Sequence, residues 1–262
     1  MKRAVLFTAI VLLGVTMQAQ TNYKVIKVDG SIQYVRTGSK MELGDVFTDQ
    51  EALSFGTPNS RAAVINPQKG RFILTPRSAS QLSGAKSNFL PAMSNLSTRG
   101  GFLNTMNDVV NQFSGPIVLL YEASWSLNPY QFPMDAERYF YLLLRCNGKT
   151  VKKKLLSRDN NLVFSREDIL NIDGKPVSGF DRPAASLYYA GQNGPVFLSS
   201  FELILPDLKQ LRKETGIILD ELKNEDYNRK TNEISGYLFD FYGKPDKKDV
   251  ILFLDKDFGL KK

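Results

Sequence analysis

Short runs of alternating apolar and polar residues, separated by glycine turns, fill the chain up to residue 77. Two such runs, residues 23–28 and 31–36, flank the pair Asp29-Gly30. Asp-Gly between alternating runs predicts a β-hairpin, because the residues of its tight turn tolerate a positive φ. Further short runs follow at residues 41–43, 52–55, 61–65 and 71–74. This spacing predicts a small antiparallel β module, a barrel or a sandwich, over residues 21–77.

A serine-rich stretch without hydrophobic periodicity, residues 78–101, interrupts this pattern and is predicted to be a linker. After it, residues 102–113 place apolar side chains on one face of a short amphipathic helix. Strand-like runs then return at residues 116–121, 138–145, 149 onward, 185–190 and 195–205. Turn residues at Asn147-Gly148 and at residues 191–194 predict two more hairpins. We interpret residues 102–205 as an immunoglobulin-like β-sandwich, built without the inter-sheet disulfide because the chain has a single cysteine.

The last segment, residues 206–262, changes to helical spacing. After Pro206 and Asp207, apolar residues recur every three or four positions up to Leu222, which predicts an amphipathic helix. A second helix is predicted over residues 228–242, ended by Gly243. Residues 250–254 are apolar and fit either a strand or a buried turn of a third helix. Because the heptad pattern is short, we expect these helices to dock on the sandwich rather than to form a coiled coil. The predicted fold is mainly β with C-terminal helices.

The first twenty residues have the order of parts of a secretory signal peptide. Lys2 and Arg3 precede an apolar stretch that ends near Val15, and small and polar residues follow up to Ala19. The apolar stretch is shorter than the about 20 residues that cross a membrane, so we expect cleavage rather than anchoring. Cys146 is far from this region, and we expect no lipid anchor. The sequence thus predicts an exported protein, periplasmic, outer-membrane-associated or at the cell surface, without a transmembrane segment in its mature chain.

Positive charge is concentrated in one part of the sequence. The whole chain has a net charge of +7, and residues 52–107 contain no acidic residue. In an exported protein we expect no nucleic acid partner, so an acidic protein, an anionic glycan or peptidoglycan is the better candidate. A candidate basic patch consists of Arg61, Lys69, Arg71, Lys152 and Lys154. The alternative is a solvated surface and, at residues 152–154, an edge strand protected by lysines, because consecutive strand residues point to opposite faces.

Aromatic residues mark a second candidate site. Trp125, Tyr130 and Phe132 lie in residues 125–134, which contain two prolines and no regular period and are predicted to form a long loop. Exposed rings in such a loop stack on sugars or anchor protein interfaces. In the alternative, the rings tuck under the loop and cap the sandwich.

The sequence lacks histidine, the residue that many catalytic and metal sites use. This absence removes serine–histidine and cysteine–histidine pairs and the usual zinc sites. Neither a P-loop nor a dinucleotide-binding glycine pattern occurs. We therefore predict no catalytic activity, no cofactor and no metal. The predicted function is an envelope scaffold that binds another envelope protein. A glycan- or peptidoglycan-binding module is the alternative, and a hydrolase using two carboxylates is a third hypothesis, because such carboxylates leave no sequence mark.

The N-terminal pattern also resembles a known family. Residues 28–32, Val-Asp-Gly-Ser-Ile, are followed by Leu-Gly-Asp-Val at 43–46, Leu-Ser-Phe at 53–55 and Arg-Ala-Ala-Val-Ile at 61–65. This order resembles the periplasmic β-domain of FecR-like proteins over residues 22–76. In that family the β-domain follows a cytoplasmic anti-sigma segment and a membrane helix, which this sequence does not contain. The resemblance implies an envelope interaction module and does not imply the family's role in transmembrane signalling.

Overall fold

The computed structural model describes residues 21–76, 89–91, 102–146, 148–172, 174–176 and 179–261. The predicted signal peptide lies outside these ranges, as does the predicted linker except for residues 89–91. The described part is mainly β, with several antiparallel sheets and C-terminal helices, and this agrees with the predicted class.

Seven strands build the N-terminal part. They are β1 (Asn22–Asp29), β2 (Ile32–Tyr34), β3 (Val46–Thr48), β4 (Leu53–Phe55), β5 (Arg61–Asn66), β6 (Gly70–Leu74) and β7 (Phe89–Pro91). One sheet has the order β3-β1-β5-β6-β7, and β2 pairs with β4 in a second, two-stranded sheet. Strand β7 lies within the segment that was predicted to be a linker. Strands β5 and β6, which correspond to the runs at residues 61–65 and 71–74, pair in antiparallel register.

Two local predictions in this region are wrong. Gly30 has a φ of 82°, as a tight turn requires, but β1 pairs with β3 and β5 whereas β2 pairs with β4. Contacts with a later part of the chain hold β2 in the second sheet: the Ser31 N–H donates to the Ser60 Oγ at 3.2 Å, and the Gly56 N–H donates to the Ser31 carbonyl oxygen at 2.8 Å. Residues 41–43 form no strand because the Glu42 N–H donates to the Asp45 carboxylate at 2.8 Å and closes a turn.

The five-stranded sheet is buried on both faces. On one face Val25, Val64 and Leu74 pack with Ile32 of β2. On the other face, Ile26 of β1 and the residues Ala63 and Ile65 of β5 pack against the C-terminal helices. Because side chains alternate between the faces of a strand, β5 reads as a continuous apolar run.

In the described residues, the central part contains three sheets and two short helices. Its elements are α1 (Met106–Gln112), β8 (Ile117–Val118), β9 (Glu122–Ser126), β10 (Tyr139–Cys146), β11 (Lys149–Lys154), β12 (Leu156–Arg158), β13 (Asn161–Ser165), α2 (Arg166–Ile169), β14 (Asn171–Ile172), β15 (Lys175–Pro176), β16 (Ala184–Gly191) and β17 (Gly194–Ile204). One sheet has the order β11-β10-β16-β17-β8-β18, where β18 is Lys244–Pro245, and a second has the order β12-β13-β9. A small hairpin joins β14 and β15. The core-facing residues of both larger sheets belong to one hydrophobic cluster.

The two predicted central hairpins are confirmed, since β10 pairs with β11 and β16 with β17 in antiparallel register. The strand predicted over residues 116–121 is shorter than expected. Only Ile117 and Val118 pair, and they run parallel to β17 and β18, which corrects the all-antiparallel expectation. The chain leaves the sheet because the buried Asp249 carboxylate accepts the N–H groups of Leu120 and Tyr121 at 2.6 and 2.8 Å.

Three helices end the chain: α3 (Leu208–Glu221), α4 (Tyr227–Phe241) and α5 (Lys247–Phe258). Each begins after an aspartate whose carboxylate accepts backbone N–H groups of the first turn, as N-capping requires. The first two helices are confirmed, and residues 250–254 belong to the third. Their apolar faces pack against both β5 and β8, so the helices connect the N-terminal and central sheets. Within the described ranges, no helix is long and apolar enough to cross a membrane.

Candidate functional site

The three aromatic residues predicted to form an exposed face do not share a surface. Trp125 lies on β9, points inward and is 3% exposed, in edge-to-face contact with Phe113 at a centroid distance of 4.8 Å. Phe132 is fully buried against Phe140 and Tyr189. Only Tyr130 is exposed, at 96%. An exposed three-ring site is therefore wrong. For Trp125 and Phe132 the structure shows the alternative, in which the rings fill the core.

Two of the predicted basic residues are used inside the protein. Arg61 of β5 binds Asp29 at 3.1 Å and donates to the last backbone carbonyls of α4, those of Asp240 and Phe241. A guanidinium at this position satisfies orphan carbonyls and complements the negative end of the helix dipole. Arg61 thus fixes the end of α4 to the N-terminal sheet, which explains its place in the sequence without an external ligand.

Arg71 has a similar role and is 3% exposed. Its guanidinium binds Glu233 at 3.1 Å and Asp240 at 2.5 Å, and both carboxylates belong to α4. A buried cation needs such partners, because removing it from water without them costs several kcal/mol. Lys69 lies apart in the turn before β6 and binds the Thr21 hydroxyl at 2.9 Å. The predicted basic patch is therefore divided between an internal interface and the surface.

A second buried polar cluster connects the same elements. Glu214 of α3 is fully buried and accepts hydrogen bonds from the hydroxyls of Tyr237 at 2.7 Å and Tyr242 at 2.6 Å. Lys27 of β1 lies 3.3 Å from the other carboxylate oxygen. Burial, reinforced by the charge of Glu214, raises the pKa of both tyrosines. The tyrosines consequently remain donors, and the cluster is a structural contact rather than a proton-transfer site.

The surface lysines lie on the outer face of the six-stranded sheet, which points away from the core cluster. Tyr141 of β10 stands directly opposite Lys154 of β11 and Tyr188 of β16, and Tyr188 stands opposite Phe197 of β17. We call the three aromatic residues Tyr141, Tyr188 and Phe197 the aromatic row. Alternation along β10 and β11 places Tyr139 and Lys152 on the same face. The face therefore combines four aromatic rings with two lysines.

The rings of the row contact one another across the strands. Tyr141 and Tyr188 are stacked at a centroid distance of 5.1 Å and an interplanar angle of 6°, and the ring of Phe197 meets Tyr188 edge-on at 5.5 Å. Such cross-strand aromatic pairs stabilise the sheet. Phe197 nevertheless remains 53% exposed. A β-bulge follows it in the pairing of β16 with β17, where the consecutive residues Leu198 and Ser199 are both buried.

The two lysines of this face bind rings rather than carboxylates. The Lys152 ammonium lies 4.2 Å from the centroid of the Tyr141 ring, and the Lys154 ammonium lies 4.2 Å from that of Tyr139. Within the described part of the chain, neither lysine forms a salt bridge, whereas Lys153 points the other way and binds Asp168 at 2.8 Å. Strand β11 is an edge strand of the six-stranded sheet, as predicted by the alternative in which lysines protect an exposed edge. The two exposed ammonium groups keep their charge available to a partner.

Sequence reasoning missed the four rings of this face. Tyr139, Tyr141, Tyr188 and Phe197 lie in runs that were recognised as strands, but their apolar residues continue without alternation, so the sequence did not show which ring points outward. The sequence did contain one indication of the outward-facing residues, the turn pair Asn147-Gly148 between two strand-like runs. A two-residue hairpin turn fixes the register of its strands, and this register places Tyr141 opposite Lys154.

In the ranges that the structure covers, no cluster of three Cys, Asp or Glu side chains could hold a metal ion.

Comparison with known proteins does not assign the chain to a family. No protein-family model matches the sequence, and no curated protein matches it. Among solved structures, the N-terminal four Ig domains of Dscam1 isoform 8.4 are 10% identical at a TM-score of 0.19, over 70% of this chain and 44% of that one. The paired C2 domains of Extended-Synaptotagmin 2 are 9% identical at a TM-score of 0.18, over 80% of this chain and 87% of that one. The chain spans less than half of the Dscam1 structure, and similarity at this level identifies neither fold nor function.

Proposed function

We propose that this chain is an exported, non-catalytic envelope protein that binds another envelope protein through the outer face of its six-stranded sheet. The observation that carries the proposal is the combination of exposed Phe197 with Lys152 and Lys154, whose charges have no carboxylate partner in the described residues. Aromatic residues are enriched at the centres of protein interfaces, and charges around them attract partners of opposite charge. Export is supported by the arrangement of residues 1–20.

The finer architecture fits this role. We propose that residues 102–205 form an immunoglobulin-like sandwich, because two separate sheets contribute to one core and Trp125 lies at its centre against Phe113 and Phe164. We also propose that the N-terminal strands are an interaction module of the FecR-like kind. In the described structure they are held to the rest of the chain by Arg61 and Arg71.

The ring geometry favours a protein over a glycan. A sugar stacks on the open face of an aromatic ring, but Tyr141 and Tyr188 turn their faces toward each other. Lys152 and Lys154 occupy the remaining faces of Tyr141 and Tyr139. Since Trp125 and Phe132 lie in the core, two of the three rings first proposed for sugar binding are not accessible, and Tyr130 alone of the three is exposed. Ring edges, hydroxyl groups and ammonium groups remain, and these suit a polypeptide partner.

The test is crosslinked affinity capture of the mature chain from envelope fractions. We expect the wild type to recover a stoichiometric protein and the variant K152E/K154E to lose it, because charge reversal turns attraction into repulsion. The matched control is K247E/K248E, which changes the net charge equally at two exposed lysines at the start of α5. Equal recovery by both variants would show that the sheet face is not the interface, and loss in both would show only a dependence on net charge.

A further inference from the structure

A pocket opens beside the aromatic row, at the corner where the chain passes from β11 to β12. Its volume is about 480 Å³, within the range of about 300–1,000 Å³ that is typical of ligand sites. Buried Phe140, Leu155 and Leu162 belong to its lining. Tyr139 and Lys154 line it as well and also belong to the outer face of the sheet. The pocket and the face therefore form one continuous surface, with an apolar interior and a basic margin.

The charges around the pocket are not balanced. Asp135 is bound by the Arg138 side chain at 2.7 Å, and this contact lowers the pKa of Asp135 to about 2. Asp168 is bound by Lys153 at 2.8 Å. Both acidic residues of the lining thus have a cation of their own. Lys154 has only the Tyr139 ring and, at 3.5 Å, the carbonyl oxygen of Ala136. The remaining charge at the pocket is positive.

We propose that this pocket seats an apolar side chain from an acidic segment of the partner protein, while carboxylates of that segment bind Lys152 and Lys154. The inference rests on the proposed function and names the chemistry that this face selects. An apolar side chain in a pocket ringed by charge pairs is the usual arrangement of an interface hot spot. A second copy of this chain is a less suitable occupant than an acidic segment, because both copies would have the same net positive charge, +7 for the whole sequence.

The probe is a short fluorescein-labelled peptide of alternating glutamate and serine with one central phenylalanine, and its binding is followed by fluorescence anisotropy. We expect saturable binding to the full-length mature chain. Replacing the phenylalanine of the peptide by alanine should weaken binding by about tenfold or more, because the buried ring surface is lost. K152E/K154E should abolish binding, and K247E/K248E should preserve it.

A pocket-filling variant tests the seat directly. Ser157 lines the pocket and is exposed, so Ser157→Phe blocks the space without entering the core, and Ser157→Ala leaves it open. We expect S157F to bind the phenylalanine peptide only as well as wild type binds the alanine peptide, and S157A to match wild type. Unchanged Trp125 fluorescence in both variants would show that the core is intact.

The outcomes separate this inference from the proposed function. If wild type binds both peptides equally while K152E/K154E still loses the captured envelope protein, the pocket inference is overturned and the proposed function stands. If K152E/K154E retains both the protein and the peptide, both are overturned. Competition by an oligogalacturonate at the same concentration as the phenylalanine peptide would mean that charge alone is recognised, and it would also overturn the pocket inference.

Discussion

Replacing Glu214 by glutamine tests whether the C-terminal helices hold the N-terminal and central sheets together. Glu214 is fully buried and receives the hydroxyls of Tyr237 and Tyr242, one from the buried face of α4 and one from its end. Lys27 of β1 completes the cluster. The glutamine has nearly the same shape, so E214Q removes the charge and leaves the packing unchanged.

The magnitude follows from the partners. A hydrogen bond to a charged group contributes about 1.5–3 kcal/mol net, and a glutamine oxygen can accept only from part of the present donors. Both tyrosine hydroxyls donate to the same carboxylate oxygen, so the glutamine oxygen takes that position and the amide NH₂ group faces the Lys27 ammonium and the Gln210 amide, donor against donor. Lys27 is 18% exposed and still lies 3.9 Å from Asp29, so water and this second carboxylate relieve part of the cost. We expect E214Q to lower the free energy of unfolding by about 2–4 kcal/mol, a large fraction of the about 5–15 kcal/mol of a typical domain.

The assay is chemical denaturation followed by two signals. Fluorescence of Trp125, the only tryptophan of the sequence, reports the central core, and far-UV circular dichroism reports the helices. Because the helix cluster includes residues of both β5 and β8, we expect both midpoints to shift together. The control is Glu221→Gln on the same helix. Its partner Lys24 lies at 3.2 Å, but both side chains are partly exposed, so E221Q should cost less than about 1 kcal/mol. Equal effects of E214Q and E221Q would refute the reasoning.

Three further predictions concern other contacts. Burial raises the pKa of Asp249 from 3.8 to about 6, so the folded chain binds the proton of this carboxyl group more tightly than the unfolded chain does. The stabilisation from this proton is therefore fully present below pH 4 and is lost as the pH rises through 6. Asp249→Asn should therefore destabilise the protein more at pH 4 than at pH 7.5, as measured by denaturation at both values; a pH-independent cost would contradict this. Gly243→Ala should cost about 1–3 kcal/mol, because a Cβ there would lie 2.7 Å from the Pro116 carbonyl oxygen at a φ of 138°; an unchanged midpoint would show that β8 and β18 can move apart. Binding of the captured partner should weaken as salt rises from 0.05 to about 0.5 M, since exposed charges are screened over a Debye length; salt-independent binding would argue against Lys152 and Lys154 as contacts.

The sequence predicted those elements whose causes are local. The helices α3 and α4 follow from apolar spacing and from Asp207 and Asp226, which lie beside the backbone groups that they cap. The hairpin of β10 and β11 follows from two turn residues. In each case the interacting groups are close in the chain, so their pattern is sufficient.

Elements decided by distant contacts could not be predicted in this way. Asp29-Gly30 has the composition of a hairpin turn, but the contacts of Ser31 with the later residues Gly56 and Ser60 hold the next strand in another sheet. The run at residues 116–121 looks like one strand, and only Asp249 of α5 draws its second half out of the sheet. Trp125 stands at the start of an irregular segment, but its pairing with Leu162 makes it a core residue of a strand.

The same distinction explains the different roles of the basic residues. Arg61, Arg71, Lys152 and Lys154 are equivalent in sequence, because no carboxylate is their near neighbour. The fold brings α4, with Glu233 and Asp240, onto β5 and β6, and the two arginines become part of the interior. No described acidic residue reaches the outer face at β11, where the lysines rest on tyrosine rings. A cation on an aromatic ring keeps most of its charge available for a closer anion, so an incoming carboxylate gains an ion pair without breaking an existing one. This difference makes the outer face of the sheet, rather than the arginine-rich strands, the surface on which an acidic partner is expected to bind.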